Sequence, residues 1–562
     1  MFSSDDLAQL EARGISPEQA ARQVEHMFRG FARVRLDRPC TVGDGLLRVS
    51  AEEQTECSDA FARAAGAGRI SKFVPASGAA TRMFQALLSV YGSGLSLDSD
   101  GLRRLGTEGP ERGALLEANG VGFVDAELAV RFLRAIEEFP FAPELAVAAG
   151  ADGVLGLGET VRDGGGRRIL EALLREPGLG FASLPKGLIP FHHYSDGPWT
   201  PLAEHVAEGW ELLVARGSGH PIRVHFTIPP GWESAIRERL DSVTRSFPEA
   251  RFEIGLSVQS PATDTIAGNP EGGPFRAEDG RLVFRPGGHG ALLTNLGNLC
   301  GDIVLLKNVD NIARRSWRQR QHESRRLLAG LVVRLEEQVG QWRAELSTIA
   351  PAASEGSCPA ANEASRSAAN EGSRSDFAHG AARLVRLEAA YTRVFSRILP
   401  PPSGRDGFTG RVERFRELLD RPIRVCGMVA NEGEPGGGPF WVQHPDGTLD
   451  IQIVELSQID RSDPHQVRAI DVATHFNPVD LAVSLRDAEG RSYDLRSFVD
   501  EETGIVAEKS DGGRPLRALE LPGLWNGSMA AWNTVFVEIP IETFTPVKTV
   551  LDLLRDPHRA EG

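Results

Sequence analysis

The sequence has few of the features that mark extracellular, membrane or nucleic-acid-binding proteins. Its five cysteines, at positions 40, 57, 300, 358 and 426, lack a paired spacing or zinc-binding Cys/His arrangements, so we expect reduced thiols. No run of about 18 apolar residues occurs, and the start, Met-Phe-Ser-Ser-Asp-Asp, is no basic and apolar leader. The 62 Lys and Arg against 77 Asp and Glu give a net charge of −15, which argues against a nucleic acid or an anionic membrane as partner. We therefore expect a cytoplasmic protein.

The length of 562 residues predicts several domains, because a single core rarely grows so large. From residue 70 onward, apolar runs of strand length alternate with helix-like stretches, which predicts an α/β fold with a mostly parallel mixed sheet and helices on both faces. The predicted regions are a helical region at 1–68, an α/β core at 69–311 with an insertion at about 84–184, a helical hairpin at 312–420, and a β-rich region at 421–562.

The tip of the predicted hairpin, at about 351–376, has a distinct composition. Residues 361–367 are echoed with one substitution by residues 369–375, and the segment has no large apolar side chain. Such a segment buries too little apolar surface to offset the entropy lost on ordering. We therefore expect disorder at this tip.

A loop of small residues follows the apolar run Phe73-Val74 and ends in Thr81-Arg82. Small residues let backbone N–H groups approach a phosphate closely, and Arg82 supplies a guanidinium. The same residues also fit a simple strand-to-helix turn in which Ser77 and Thr81 cap a helix. The predicted nucleotide-binding residues of this loop are Ala76, Ser77, Gly78, Ala79, Ala80 and Thr81.

A lysine lies between prolines in the apolar segment Leu184-Pro185-Lys186-Gly187-Leu188-Ile189-Pro190. A rigid backbone would aim this ammonium group at the same phosphates. Further along, Gly288-His289-Gly290 allows close backbone contact with a flat ring, and Gln259, after another strand-like run, is a second candidate near a nucleotide.

Asp310 follows the buried apolar run at 303–306. A carboxylate at the end of such a strand suits Mg²⁺, which takes one or two carboxylates together with phosphate oxygens. Alternatively, Asp310-Asn311 only forms a turn after a core strand.

Taken together, these motifs resemble the UTP-dependent sugar-1-phosphate uridylyltransferases, the UDP-sugar pyrophosphorylase group with the nucleotide-diphospho-sugar transferase fold. Residues 76–83 are similar to the nucleotide loop of that group, Pro185-Lys186-Gly187 to its Pro-Lys-Gly element, and Gly288-His289-Gly290 to its uracil loop. Further likenesses are Val309-Asp310-Asn311, Ile453 to Gln458, and Phe544 to Leu554, which contains Lys548. The whole chain also resembles a bacterial family known only as a domain of unknown function.

The resemblance implies a reaction in which a sugar 1-phosphate attacks the α-phosphorus of a nucleoside triphosphate, here UTP, and pyrophosphate leaves. Arg82, Lys186 and Lys548 would be the catalytic cations, and Asp310 would bind Mg²⁺. Candidate sugar-binding residues are Glu455, His475, Asn477, Asn526 and Asn533.

Two alternatives remain open. Ser77 and Ala80 stand where the group has glycines, and we expect a Cβ at Ala80 to push phosphates outward, which favours a noncatalytic nucleotide-binding protein. A metal-dependent phosphohydrolase using Asp310, His475 and Asp480 is the second alternative. The identity of the sugar and the oligomeric state are not determined by these motifs.

Overall fold

The computed structural model describes residues 2–107, 109–214, 219–299, 301–354, 363–401, 407–433 and 437–559, with side chains left out at 350–354 and 363–377. Its helices, in chain order, are α1 (Ser4–Glu11), α2 (Pro17–Arg29), α3 (Ala51–Gly66), α4 (Gln85–Gly92), α5 (Ser99–Gly106), α6 (Pro110–Ala118), α7 (Phe123–Arg134), α8 (Ala142–Ala149), α9 (Gly153–Arg162), α10 (Gly166–Leu174), α11 (Pro201–Leu213), α12 (Glu233–Thr244), α13 (Leu293–Gly297), α14 (Arg315–Ser354), α15 (Glu363–Phe395), α16 (Phe408–Leu419) and α17 (Pro464–Asp471). Among the helices of the described residues, none combines the length and the apolar composition needed to cross a bilayer.

The strands, in chain order, are β1 (Leu36–Pro39), β2 (Thr41–Val42), β3 (Gly45–Leu47), β4 (Ile70–Pro75), β5 (His192–Tyr194), β6 (Gly197–Trp199), β7 (Ile222–Ile228), β8 (Phe252–Val258), β9 (Thr265–Ile266), β10 (Phe284–Arg285), β11 (Ile303–Lys307), β12 (Arg397–Ile398), β13 (Ile423–Ala430), β14 (Gly438–Gln443), β15 (Leu449–Val454), β16 (His475–Phe476), β17 (Asp480–Ser484), β18 (Ile505–Asp511), β19 (Arg514–Glu520) and β20 (Asn533–Glu538). The chain forms two compact units, each built from three separate segments. Unit 1 contains residues 1–71, 259–306 and 323–541, and unit 2 contains residues 72–258, 307–322 and 542–562.

Unit 1 holds most of the β-structure. Its strands follow the order β2-β3-β20-β13-β17-β11, with β13 parallel to β20 and antiparallel to β17. A second sheet has the order β1-β14-β15-β12, and β18 and β19 form an antiparallel hairpin. The β-rich region predicted from residue 421 onward is therefore confirmed.

Unit 2 combines parallel strands with many helices. Its strands follow the order β4-β7-β8, and β7 runs parallel to β8, with α12 between them in sequence. Residues 222–258 thus form the predicted strand, helix and parallel strand. The predicted mixed α/β fold with helical insertions is confirmed.

The insertion predicted at about 84–184 contains helices α4 to α10. Their apolar faces form one buried cluster that includes Leu87, Phe132, Phe141 and Leu170. Val547, from the segment that carries Lys548, packs into the same cluster. The helical insertion and the chain's last segment therefore share a core within unit 2.

Residues 1–68, predicted to be helical, contain α1 to α3 and also the short strands β1 to β3. The α2 helix begins as predicted, because Ser16 accepts a hydrogen bond from the backbone N–H of Gln19 while Pro17 occupies the first helical position. The chain turns sharply between β2 and β3, because Gly43 and Gly45 adopt positive φ angles of 88° and 84°.

The domain boundaries predicted at 69, 312 and 421 stay predictions. The hairpin predicted at 312–420 contains the long helices α14 and α15. Of the predicted disordered tip at about 351–376, residues 355–362 lie outside the described residues, and the structure assigns the flanking residues to the end of α14 and the start of α15.

Candidate functional site

The small-residue loop and the Pro-Lys-Gly segment lie side by side in unit 2, although about a hundred residues separate them in sequence. The backbone N–H of Ala80 donates to the carbonyl of Leu184 at 3.1 Å, and the N–H of Lys186 donates to the carbonyl of Gly78 at 3.1 Å. Ala79 and Pro185 form an isolated bridge between these bonds. The loop that follows β4 therefore positions Lys186 through its own backbone.

The side chains of the loop point in different directions. Gly78, Ala79, Thr81 and Arg82 are exposed. Ala80 is fully buried and belongs to the apolar cluster of the helical insertion. Its methyl group therefore packs inward, and the expectation that this Cβ pushes phosphates away from the loop is wrong.

Asp310 lies at the turn after β11. The N–H of Val309 donates to the carbonyl of Pro75 at 3.2 Å, which places Asp310 beside the end of β4. From the other side, the N–H of Val547 donates to the carbonyl of Asp310 at 3.0 Å. These backbone bonds bring together three segments that are far apart in the chain.

One carboxylate oxygen of Asp310 accepts from two lysines. Lys186 Nζ lies 2.8 Å and Lys548 Nζ 3.3 Å from Asp310 Oδ2. The side chains of Lys186 and Asp310 are 12% and 13% exposed, whereas that of Lys548 is 58% exposed. Two ammonium groups therefore meet at a partly open surface, and their remaining donors suit a phosphorylated ligand.

Burial and charge act in opposite directions on this cluster. Burial by itself would raise the pKa of Asp310, but the charges of Lys186 and Lys548 lower it below its ordinary value. Burial lowers the pKa of Lys186 below that of a free lysine, although Asp310 opposes this change. Asp310 is therefore ionised at neutral pH, and a second anion near Lys186 would stabilise its ammonium form.

The free oxygen of Asp310 fits a metal ion. Within the described residues, Asp310 Oδ1 is buried and has no hydrogen-bond partner, and a buried carboxylate oxygen without a donor is costly to maintain. A divalent cation with oxygen ligands would satisfy it. Among the described residues, no three His, Cys, Asp or Glu side chains form a group that could hold a metal. Phosphate oxygens and water would therefore have to complete the coordination of Mg²⁺ at Asp310.

The structure thus brings together Lys186, Lys548 and Asp310, which were predicted as two of the three catalytic cations and as the metal ligand. Arg82 lies on the loop bonded to the Lys186 segment, at the end of a short 3₁₀ turn, and its role stays a prediction. Sequence reasoning missed Asp552, whose Oδ2 accepts from the backbone N–H groups of Lys548 at 2.8 Å and Thr549 at 2.6 Å. The spacing Thr549-x-x-Asp552 is that of a capping box and is detectable in sequence.

Unit 1 contains a second polar cluster built around His289. The His289 ring stacks on Trp525 at a centroid distance of 4.1 Å, and the N–H of Leu524 donates to its Nδ1 at 2.9 Å. Since Nδ1 accepts, the neutral ring carries its proton on Nε2, which faces Glu455 Oε1 at 3.7 Å. Asn526 Nδ2 donates to the same oxygen at 2.8 Å. His289, Glu455 and Asn526, predicted from separate motifs, therefore meet.

The backbone around His289 is tightly constrained. Gly288 has a φ of 76°, and a Cβ at Gly290 would lie 2.0 Å from the carbonyl oxygen of Pro522. Glycine is required at both positions, at the first by its conformation and at the second by space. Gln259 follows β8 and is half-buried.

The remaining predicted sugar-binding residues of unit 1 are buried and have internal partners. Asn533 accepts from the hydroxyl of Tyr391 at 2.6 Å and donates to the carbonyl of Leu418 at 2.9 Å. Asn477 accepts from the N–H of Val479, and His475 Nδ1 lies 2.8 Å from the hydroxyl oxygen of Thr474. These contacts are those of structural polar residues, and a sugar-binding role for Asn533, Asn477 and His475 stays a prediction.

Several solved structures are similar to this chain at low sequence identity. The UDP-N-acetylglucosamine pyrophosphorylase of Trypanosoma brucei in complex with an inhibitor is 12% identical, with a TM-score of 0.44, over 98% of this chain and 79% of that one. A UDP-glucose pyrophosphorylase mutant of Leishmania major in complex with UDP-glucose is 10% identical, with a TM-score of 0.40, over 100% and 82%. A putative UDP-N-acetylglucosamine pyrophosphorylase of Entamoeba histolytica is 10% identical, with a TM-score of 0.38, over 91% and 82%.

By their names, these three proteins belong to the UDP-sugar pyrophosphorylase group, which the motifs of this chain resemble. No curated protein matches the chain. A protein family described as a domain of unknown function, DUF4301, matches residues 3–358 and 401–559, which is most of the sequence. The expectation of a family of unknown function is thereby confirmed, and the chain belongs to the DUF4301 family.

Proposed function

We propose that this protein is a nucleotidyltransferase that transfers a nucleotidyl group, uridylyl by its motifs, from a nucleoside triphosphate to a sugar 1-phosphate and releases pyrophosphate. The observation that carries the proposal is the contact of Lys186 and Lys548 with one oxygen of Asp310, beside a loop whose exposed backbone follows a parallel strand. Ligands of open parallel sheets bind beyond the carboxyl ends of the strands, where this cluster lies.

The proposed chemistry needs cations more than it needs an acid and a base. In an in-line attack of one phosphate on another, the barrier comes from bringing two anions together and from charge that builds on the bridging oxygens. An ammonium group has three donors, and the contact with Asp310 uses one on each lysine. Lys186 and Lys548 therefore retain donors for phosphate oxygens while Asp310 keeps them close together.

Each residue has a separate proposed task. Lys186, largely buried and fixed by the loop backbone, would bridge the α-phosphate and the attacking oxygen. Lys548, more exposed, would neutralise the incoming sugar phosphate. Arg82 would bind the β- and γ-phosphates from the loop surface. Mg²⁺, when bound at Asp310, would neutralise charge on phosphate oxygens.

The proposed function is tested by pyrophosphorolysis, the reverse reaction. The protein is incubated with radiolabelled pyrophosphate, Mg²⁺ and a panel of UDP-sugars, and formation of labelled UTP is measured. Labelled UTP from at least one sugar supports the proposal. Tight binding of nucleotide without turnover would instead identify a noncatalytic nucleotide-binding protein, and release of inorganic phosphate would identify a phosphohydrolase.

The lysine assignment has a matched control. Lys186→Met removes the charge and keeps most of the side-chain volume, and we expect kcat/KM to fall roughly a hundredfold, since one charge-assisted contact to a transition state is worth about 3 kcal/mol. Lys509→Met removes a charge that pairs with Glu520 on the β18–β19 hairpin and should leave turnover unchanged. Unaltered turnover in Lys186→Met would refute the assignment.

A further inference from the structure

Thr545, three residues before Lys548, is held by three side chains of unit 2: one from the turn after β11, one from α14 and one from near the end of the chain. Its backbone N–H donates to Asn311 Oδ1 at 2.9 Å, its hydroxyl oxygen accepts from Gln321 Nε2 at 3.2 Å, and its carbonyl lies 3.1 Å from His558 Nε2. Thr545 is only 5% exposed. Each of its polar atoms therefore has a partner, and the start of the Lys548 segment is held in one place.

His558 is itself held by a buried chain of polar groups. Its Nδ1 lies 3.0 Å from His192 Nε2, and the two rings stack with an interplanar angle of 11°. His192 Nδ1 lies 2.6 Å from Glu204 Oε1, which also accepts from the hydroxyl of Tyr194. The guanidinium group of Arg318 bonds the other oxygen of Glu204. These groups link the chain's last segment to β5, α11 and α14.

The hydrogen bonds between these side chains restrict where their protons lie. A carbonyl can only accept, so His558 Nε2 must donate to Thr545, and a neutral His558 must accept at Nδ1. His192 Nε2 must then donate to His558. The carboxylate of Glu204 also accepts, so His192 Nδ1 must donate as well. With His558 in its neutral form, His192 therefore donates from both ring nitrogens.

The surroundings of the chain agree with this assignment. Burial by itself would raise the pKa of Glu204, but the charges of Arg318 and His192 lower it, so this carboxylate is ionised. Burial, together with the neighbouring His192 charge, lowers the pKa of His558 well below that of a free histidine. A neutral His558 is therefore the form that burial favours.

We infer that His558 is a positioning residue for Lys548: His558, fixed by its contact with the buried His192, holds the carbonyl of Thr545 and so sets where the Lys548 ammonium group lies. The inference rests on the proposed function, in which Lys548 receives a phosphate group. Lys548 is largely exposed and gains little orientation from packing of its own side chain. Its placement consequently depends on the backbone bonds at Thr545, on the bond from Val547 to Asp310 and on those to Asp552.

Two variants of His558 separate positioning from general stability. In His558→Gln the amide nitrogen occupies the place of Nε2 and can still donate to Thr545. In His558→Asn the amide is too short and reaches only the place of Nδ1, so it keeps a partner for His192 and loses Thr545. Both variants remove the same ring, and any loss from packing should be similar in the two.

The experiment measures anion binding as well as turnover. Calorimetry with inorganic pyrophosphate as the probe should show binding to His558→Asn weakened roughly five- to tenfold, as expected for one lost hydrogen bond, with His558→Gln close to the wild-type protein. In pyrophosphorolysis, His558→Asn should lower kcat/KM by a similar factor. Equal losses in both variants, or no loss in either, would overturn the inference.

Nitrogen-15 spectra of histidine-labelled wild-type protein test the proton arrangement directly. We expect a protonated Nε2 on His558, as the bond to the Thr545 carbonyl requires. A His558 Nε2 without a proton could not donate to Thr545 and would overturn the inference, even if the variants failed to fold. If no UDP-sugar gives turnover, the proposed function fails, while the spectra and pyrophosphate binding still decide the role of His558.

Discussion

Replacing Asp310 by asparagine tests how the charge of this carboxylate affects phosphate binding. We expect the carboxylate to weaken phosphate binding without a metal ion and to strengthen it when Mg²⁺ is bound. Asp310 Oδ2 lies 2.8 Å from Lys186 Nζ and 3.3 Å from Lys548 Nζ, so it occupies donors that a phosphate would use. Without Mg²⁺, its negative charge should repel an incoming phosphate. Asp310→Asn should therefore bind pyrophosphate more tightly in the presence of EDTA.

The size of this effect follows from Coulomb's law. A phosphate oxygen bound to the same ammonium groups would lie about 5 Å from the carboxylate, where two unit charges repel by about 3 kcal/mol at an effective dielectric of about 20 and by about 1 kcal/mol in bulk water. Asp310 is largely buried but Lys548 is mostly exposed, so the real value lies between these limits. We expect binding to tighten roughly five- to 150-fold.

With Mg²⁺ the order should reverse. In the wild-type protein, Asp310 Oδ1 can serve as a ligand for the ion, because it is buried and has no hydrogen-bond partner in the part of the chain that the structure describes. Asparagine offers only an uncharged amide at this place. Mg²⁺ should therefore tighten pyrophosphate binding to the wild-type protein much more than to Asp310→Asn.

The assay is titration calorimetry with pyrophosphate at pH 7, in EDTA and in Mg²⁺. Asp196→Asn is the control, since Asp196 pairs with Arg315 on the surface of the same unit and should change neither affinity. Weaker binding by Asp310→Asn in EDTA would refute the reasoning, because the carboxylate would then assist phosphate binding without a metal. An equal response of both proteins to Mg²⁺ would refute the metal site.

Two further predictions concern stability. On α14, Gly330→Ala should destabilise the protein by at least 2 kcal/mol, about the cost of overpacking, because the new Cβ would lie 1.8 Å from the carbonyl oxygen of Cys57. Gly340→Ala, where the new Cβ meets open space, should instead stabilise the protein by about 0.5 to 1 kcal/mol. Urea unfolding measures both changes, and similar effects of the two substitutions would contradict the packing of α14. His444 lies 2.7 Å from Asp450, whose hydrogen bond raises the pKa of the imidazole. A raised pKa means that the stabilisation is present in full below the unfolded pKa of about 6.5 and is lost as the pH rises through the folded value. His444→Gln should therefore cost roughly 1 to 2 kcal/mol at pH 5.5 and little at pH 9 in the same measurement, and a cost independent of pH would exclude a charged His444.

Local pattern was sufficient for much of the fold. The strand, helix and strand at 222–258 follow from the alternation of apolar runs, and the start of α2 follows from Ser16 and Pro17, because these features depend on neighbours in sequence. The short strands β1 to β3 were missed, since they are held by pairing with strands from residue 438 onward and by turns at two glycines.

The identities of the site's main charges were also readable from sequence. Lys186 was found from its prolines, Asp310 from its place after an apolar strand, and Lys548 from the motif around it. Each of these signals depends on neighbouring residues in the sequence, so it predicts which residue carries a charge and what kind of segment surrounds it. None of these signals contains a distance between residues that lie more than a hundred positions apart.

Those distances were decided by tertiary structure. Two lysines share one oxygen of Asp310 because backbone bonds join the loop after β4 to the Lys186 segment, and the turn after β11 to residue 547. Ala80 turned out to be part of the core because the helical insertion packs against that side of the loop. No sequence motif marks the partners of Thr545, because these hydrogen bonds join residues that come together only in the folded protein. The sequence by itself therefore determined which charges this protein places at its candidate site, and only the fold decided how far apart they lie and which groups hold them there.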